Sequence, residues 1–346
     1  MKNKVRSYAF WSVIVLIGIL LFMVLFPTNY DVPEYKARAG TRYWSLSTGS
    51  KIGYTLISGV DRSKPYPVIF LQGGPGGPIY DRNIRLLAPL AAEGFDVYLY
   101  DQIGCGSSER LENIGDYTVE RHRRDLEEIV RTTGAGKVIL IGQSWGAMLA
   151  CAFIAENPEM VEKVIFTGPG PVLPWRTELE DIKPPDSLHL KKPRYTNKQG
   201  REKVYNLRAR VVEALARAFN LKLASDREMD NFATLLNHEM GKSTVCNPED
   251  PAIVSDAEGG SGYYAMVKTV QSFDNATDIR SKLKACRIPA LVLRGQCDGK
   301  AWGYTTEYLR LFTDHKLVIV SDAGHSIGIE QPAVYINTIM DFLLFP

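Results

Sequence analysis

The stretch Lys137–Glu156 limits the possible folds more than any other part of this chain. It reads KVILI, then Gly142-Gln143-Ser144-Trp145-Gly146, then AMLACAFIAE. A strand that is apolar throughout is buried on both faces, which belongs to a parallel sheet covered by helices. A serine where that strand turns into a helix sits on strained backbone, and the flanking glycines let strand and helix come close.

The same rhythm runs on either side. Thr41–Ser47 and Ile52–Ser58 read as a hairpin turning at Gly49-Ser50. Pro67–Leu71 (PVIFL) is a continuous apolar strand, followed by the loop Gly73-Gly74-Pro75-Gly76-Gly77-Pro78 and a helical pattern over Asp81–Glu93. Asp96–Tyr100 is a strand, and Thr118–Thr132 is an amphipathic helix with Thr118 suited to its N-cap. Lys163–Thr167 is the next strand. From Pro171 to Ala276 the rhythm stops: the sequence is more charged and mostly helical, clearest over Arg201–Asn220 and Asp226–Met240. It resumes with the strand Pro289–Arg294, a helix near Thr305–Phe312, the strand Lys316–Val320 and a helix Ala333–Leu344. The expected architecture is one α/β domain, residues 41–170 and 277–346, with a mostly parallel sheet, helices on both faces and a helical cap inserted at 171–276.

Residues 9–26 (AFWSVIVLIGILLFMVLF) carry no charge and, as a helix, reach ~27 Å, close to the ~30 Å hydrocarbon core of a bilayer. Lys2, Lys4 and Arg6 precede them, which keeps a leading tail (1–8) on the cytoplasmic side and places the rest, beyond a linker at 27–40, outside. A cleaved signal peptide is the competing reading, but its apolar region is normally shorter and followed at once by small residues. Pro27-Thr28-Asn29-Tyr30 follows here, so a single-pass transmembrane helix is expected.

The net charge of +2 is spread along the chain, with local clusters only at Arg121–Arg124 and Lys191–Arg194. Such clusters read as solvated surface, and no nucleic-acid partner is expected. The five cysteines, Cys105, Cys151, Cys246, Cys286 and Cys297, form no CxxC pair. They suggest neither a disulfide framework nor a thiolate metal site. A single late pair such as Cys286 with Cys297 fits only an oxidising compartment.

The chemistry centres on Ser144. A serine hydroxyl needs an adjacent base. Of His122, His189, His238, His315 and His325, only His325 lies in a loop just after a late strand, at the sheet edge where Ser144 is expected. His122 and His238 fall in helical patterns and read as ordinary core or surface residues. The base needs an orienting carboxylate. Asp298, in the loop after the strand ending at Arg294, gives the chain order Ser144, Asp298, His325; Asp322 is a rival only by nearness in sequence. The oxyanion needs two N–H donors, expected from the backbone of Trp145 and of Gly74.

These motifs resemble the proline iminopeptidase group of α/β-hydrolases, serine aminopeptidases with HGGPG, DQRGxGxS and GxSWG motifs, an Asp loop and a GH loop. This chain has Gln72-Gly73-Gly74-Pro75-Gly76, Asp101-Gln102-Ile103-Gly104-Cys105-Gly106-Ser107-Ser108, the Ser144 elbow, Asp298 and Gly324-His325. Gln72 and Ile103 stand where the family has histidine and arginine. The resemblance implies removal of N-terminal residues from short peptides, without metal or organic cofactor. It also implies cap carboxylates for a free α-amino group, for which Glu213, Glu239 and Glu258 are candidates. An esterase or lipase acting on small or lipid-like acyl esters is the alternative, and an inactive scaffold that binds a partner a further one. Epoxide hydrolase or dehalogenase chemistry needs a carboxylate at the elbow, which Ser144 is not.

Overall fold

The computed structural model describes residues 10–12, 14, 15, 18, 22–250, 253 and 257–345. Eight strands form one sheet: β1 (Arg42–Ser45), β2 (Lys51–Ile57), β3 (Val68–Leu71), β4 (Val97–Tyr100), β5 (Val138–Gln143), β6 (Val161–Thr167), β7 (Ala290–Gly295) and β8 (His315–Val320). Their order across the sheet is β1-β2-β4-β3-β5-β6-β7-β8. The hairpin β1–β2 is antiparallel and joins β4 antiparallel, while every pair from β4 to β8 is parallel. All residues of β3 and β7 are buried, the two-sided burial their apolar runs predict.

Helices cover both faces. On one lie α1 (Asp81–Ala92) and the C-terminal Pro332–Leu344, whose Leu87, Leu90, Ile336 and Ile339 pack with Val68, Phe70 and Ile141 of the sheet. On the other lie α2 (Val119–Thr132) and α3 (Trp145–Glu156), which pack Leu126, Ile129, Leu149 and Phe153 against Ile69, Leu140 and Phe166. Thr118 caps α2 by accepting from Arg121 N–H, as its position suggested. In α3 every residue but Glu156 is buried, consistent with a helix that is apolar all round.

Between β6 and β7 the chain forms α4 (Asn197–Val204), α5 (Leu207–Phe219), α6 (Asp226–Gly241), α7 (Tyr263–Gln271) and α8 (Arg280–Ala285). The single helix expected over Arg201–Asn220 is two. Asn206 interrupts it in extended backbone and caps α5 by accepting from Ala209 N–H, because an Asn side chain competes with the helical ladder and serves an N-cap better.

Of the expected transmembrane segment 9–26, residues 10–12, 14, 15, 18 and 22–25 are helical; the others lie outside the described residues. Among the described residues, no helix is long and apolar enough to cross a membrane. The stretch after it is no loose linker. Thr28 N–H donates to Glu228 at 2.9 Å and Tyr30 packs on Phe232, both on α6. Further along, Arg38 is buried against Asp101 of the core.

Candidate active site

The elbow follows from local sterics. Ser144 has φ 53° and ψ −112°, a conformation that costs a non-glycine residue roughly 1–3 kcal/mol. Its neighbours hold it there: Ser144 N–H donates to Thr167 O at 3.0 Å, and Ser144 O accepts from Ala147 N–H at 3.1 Å. Gly146 is obligatory, since a Cβ there would stand 1.9 Å from Leu71 O.

His325 and Asp298 come from the loops after β8 and β7. Nδ1 of His325 lies 3.1 Å from each carboxylate oxygen of Asp298, and both residues are buried. Burial opposes charge on Asp298. The charge and hydrogen bond of His325, then Arg294 and the Lys300 N–H, outweigh it and hold the carboxyl well below the usual range. Gly168 makes room for the ring, because a Cβ at that position would be 2.9 Å from Nδ1. Asp322 does not share in this. It lies at the surface, paired with Lys191 at 2.9 Å.

A cavity of about 340 Å³ brings Ser144, Asp298 and His325 together with Gly73 and Gly74. The Ser144 hydroxyl and the His325 ring face it without a direct hydrogen bond between them, a contact that in hydrolases often tightens only when substrate binds. Gly74 has φ 132°, and a Cβ on it would fall 2.7 Å from Gly77 N, so only glycine fits. Trp145 is locked by its own side chain: its indole Nε1–H donates to Gln102 Oε1 at 2.7 Å and its ring stacks on Phe273. Its backbone N–H at the start of α3 is therefore fixed beside Ser144.

This geometry sits in a known frame. Residues 66–332 match the alpha/beta hydrolase fold family. The chain belongs to that family. It is 27% identical over 307 residues to a proline iminopeptidase of Heyndrickxia coagulans, covering 86% of this chain and 96% of that one. It is 24% identical over 304 residues to a proline iminopeptidase of Saccharolobus solfataricus, covering 85% and 89%. Among solved structures it is similar to a thermophilic esterase from Thermogutta terrifontis with malate bound. There the TM-score is 0.62 at 18% identity, over 88% of this chain and 98% of that one, a likeness of fold.

Within this α/β-hydrolase, the three candidate cap carboxylates separate. Glu258 lines the cavity, where it forms an ion pair with Arg82 of α1, itself stacked over Tyr80. Glu239 is tied to Lys242 and Lys203, and Glu213 to Arg217 and Tyr205; neither lines the cavity. Two further features escaped the sequence reading, and one bears it out. His238 lines the cavity from α6; its helical pattern gave no sign of which face it takes. His122 is instead a core residue, hydrogen-bonded to Thr269 and pushed down to about 3 by burial. Ile103 is buried where the family has arginine, and the guanidinium bound to Asp101 comes from Arg38.

The cysteine expectation needs correction. A disulfide is present, and it joins Cys246 to Cys297; Cys286 is a buried free thiol. Chain spacing could not show that the end of α6 lies over the loop carrying Cys297. That contact depends on how the cap folds back on the core.

Proposed function

We propose that this hydrolase is a serine aminopeptidase of the proline iminopeptidase kind. Ser144 Oγ attacks the carbonyl of the scissile amide while His325 Nε2 takes its proton. Asp298 accepts from Nδ1–H and stabilises the imidazolium. The oxyanion is held by the N–H groups of Trp145 and Gly74. As the intermediate collapses, the C–N bond breaks and His325 protonates the departing amine. Water, deprotonated by His325, then releases the acyl group from Ser144. The observation that carries this reading is the buried His325–Asp298 pair facing Ser144 across one cavity, in a chain similar to proline iminopeptidases along most of their length.

A second reading, an esterase, is favoured by one observation. Of the candidate amine-binding carboxylates only Glu258 reaches the cavity, and Arg82 already neutralises it. A panel of aminoacyl-amide and acyl-ester chromogenic substrates decides between them. Aminoacyl-amide cleavage is expected, and fast ester turnover without it would sink the peptidase reading.

We further propose that residues 9–26 anchor the chain in a membrane, with the N-terminus cytoplasmic and the catalytic domain outside. The support is the charge-free run behind Lys2, Lys4 and Arg6 and the exposed Phe10, Trp11, Val15, Phe22 and Leu25. The Cys246–Cys297 disulfide adds to it, since such bonds persist in oxidising compartments. Sedimentation with membranes after an alkaline wash, together with digestion by protease added to intact cells, is the expected outcome. Release by the wash counts against the anchor, and protection until lysis against the outer placement.

A further inference from the structure

The end of the cap is stitched to both loops that carry the candidate acid and base. Cys246, shortly past α6, is bonded to Cys297, the residue before Asp298. Cys297 N–H donates to Ala323 O at 2.9 Å, which joins the Asp298 loop to the His325 loop. Glu330 spans the remaining gap. One of its oxygens accepts from Cys246 N–H at 2.7 Å, the other from Gly324 N–H, beside His325, at 2.5 Å. At the residue after His325, Ser326 N–H donates to Thr244 O and Ser326 Oγ to Thr244 Oγ1, both at 2.8 Å. The packing leaves no slack: a Cβ on Gly324 would stand 2.5 Å from Thr244 O.

Glu330 lies outside the cavity that holds Ser144 and lines a separate cleft with Cys246 and Cys297. It therefore has no place to touch substrate. We infer that Glu330 is a positioning residue for His325, and that the Cys246–Cys297 bridge completes the same clasp, so that seating of the cap and alignment of acid and base are set together. The inference rests on the proposed roles of Ser144, Asp298 and His325. Hydrogen bonds from backbone N–H to a carboxylate are about twice as strong as neutral ones, so one side chain can fix two segments. Misplacing a reacting group by about 1 Å can cost on the order of 10²-fold in rate.

The test uses the full chain in detergent, with turnover of the best substrate and the rate at which a fluorophosphonate labels Ser144. For Glu330→Gln, kcat and the labelling rate are expected to fall about 10-fold to 100-fold, with KM changed less than about threefold. Cys246→Ser is expected to lower kcat to a similar degree. The double variant should lose little more than the worse single one, because partners in one clasp are not additive. Unchanged kcat in a folded Glu330→Gln, or losses that simply multiply in the double variant, would overturn the inference. Wild-type chain treated with a phosphine reductant covers the case of a variant that does not fold: labelling should slow on reduction and recover on reoxidation, and an unchanged rate after proven reduction counts as refutation. If the untreated wild type is not labelled at Ser144, the underlying hydrolase reading falls too; if it is labelled at the same rate as Glu330→Gln, only the clasp falls.

Discussion

The sheet and the cap of this molecule are held by different forces. In the sheet, Val68, Ile69, Leu71, Leu140, Ile141, Leu291 and Val292 are wholly buried and apolar. Their stabilisation is non-directional and grows with the area removed from water. In the cap, buried apolar residues share the interior with ion pairs. Arg208 of α5 and Glu228 of α6 pair with side chains only 3% and 5% exposed, and Arg110 of the core reaches Asp230 of α6 at 2.9 Å. Such pairs contribute little net stability when made, because desolvation offsets attraction, but cost much when half is removed. The lesson is a division of labour. The sheet fixes the loop ends that carry Ser144, Asp298 and His325 whatever the substrate, while the cap is set by specific pairings that substitution can redraw.

The sharpest way to break this division is at the elbow. Ser144→Ala is expected to lower kcat by about 10⁵-fold to 10⁶-fold with the melting temperature nearly unchanged, since no core contact is lost. Residual turnover within 100-fold of wild type would remove Ser144 from the chemistry. Next in size is the acid. Asp298→Asn is expected to cost about 10⁴-fold in kcat, whereas Asp322→Asn, at the surface, should leave kcat within about twofold; equal losses in the two would reopen the choice. Asp298 also carries a pH signature. Burial would raise its pKa, but His325, Arg294 and the Lys300 N–H lower it overall. A carboxyl lowered in the folded state stabilises that state once pH exceeds the unfolded value near 4. That gain is lost as pH falls through the unfolded value toward the folded one. The stability advantage of wild type over Asp298→Asn should therefore be complete at neutral pH and shrink below roughly pH 4. An advantage that grows on acidification would contradict the lowered carboxyl.

The cap should fail differently. Arg208→Met leaves Glu228 buried without its partner and is expected to cost about 3–5 kcal/mol. It also removes the donor to the Val24 carbonyl. Hydrogen exchange should then quicken in α5 and α6 while β5 and β6 stay protected. Uniform loss of protection across cap and sheet would show that the two regions are one cooperative unit and end the comparison.

The same contrast explains what could be read before the structure. β3, β5 and β7 were legible because an all-apolar run between turn signals has few other uses, and the elbow because strand, turn and helix abut. The choice of Asp298 and His325 as candidate partners of Ser144 followed from chain order and loop position. The cap resisted. The break at Asn206 depends on a side chain choosing a cap over a helical ladder. α7 lies within the stretch read as mostly helical but is not among the helices named there, since the glycines at 259, 260 and 262 before its start at Tyr263 disfavour a helix and blur its beginning. Pairings between distant segments carry no local pattern at all: Arg38 meets Asp101 only once the stretch before β1 packs on the core, and Cys246 meets Cys297 and Glu330 only once cap and core are docked.

The smallest expected effect tests whether the cap contributes a charge to selection. Glu258 faces the cavity and is paired with Arg82, the two side chains being 44% and 34% exposed. At that exposure the pair is worth at most about 1 kcal/mol, so a substrate ammonium can compete with Arg82 for the carboxylate. Glu258→Gln should therefore raise KM for substrates with a free α-amino group by about tenfold, roughly 1.4 kcal/mol, and leave their N-acylated analogues unchanged. Arg82→Gln frees the carboxylate and should lower KM for the same amines. A KM that rises equally for free and blocked substrates would mean that Glu258 shapes the mouth without reading charge. Selection would then rest on the uncharged lining of the cap, Thr234, Asn237 and Val245, and the esterase reading would gain what the peptidase reading lost.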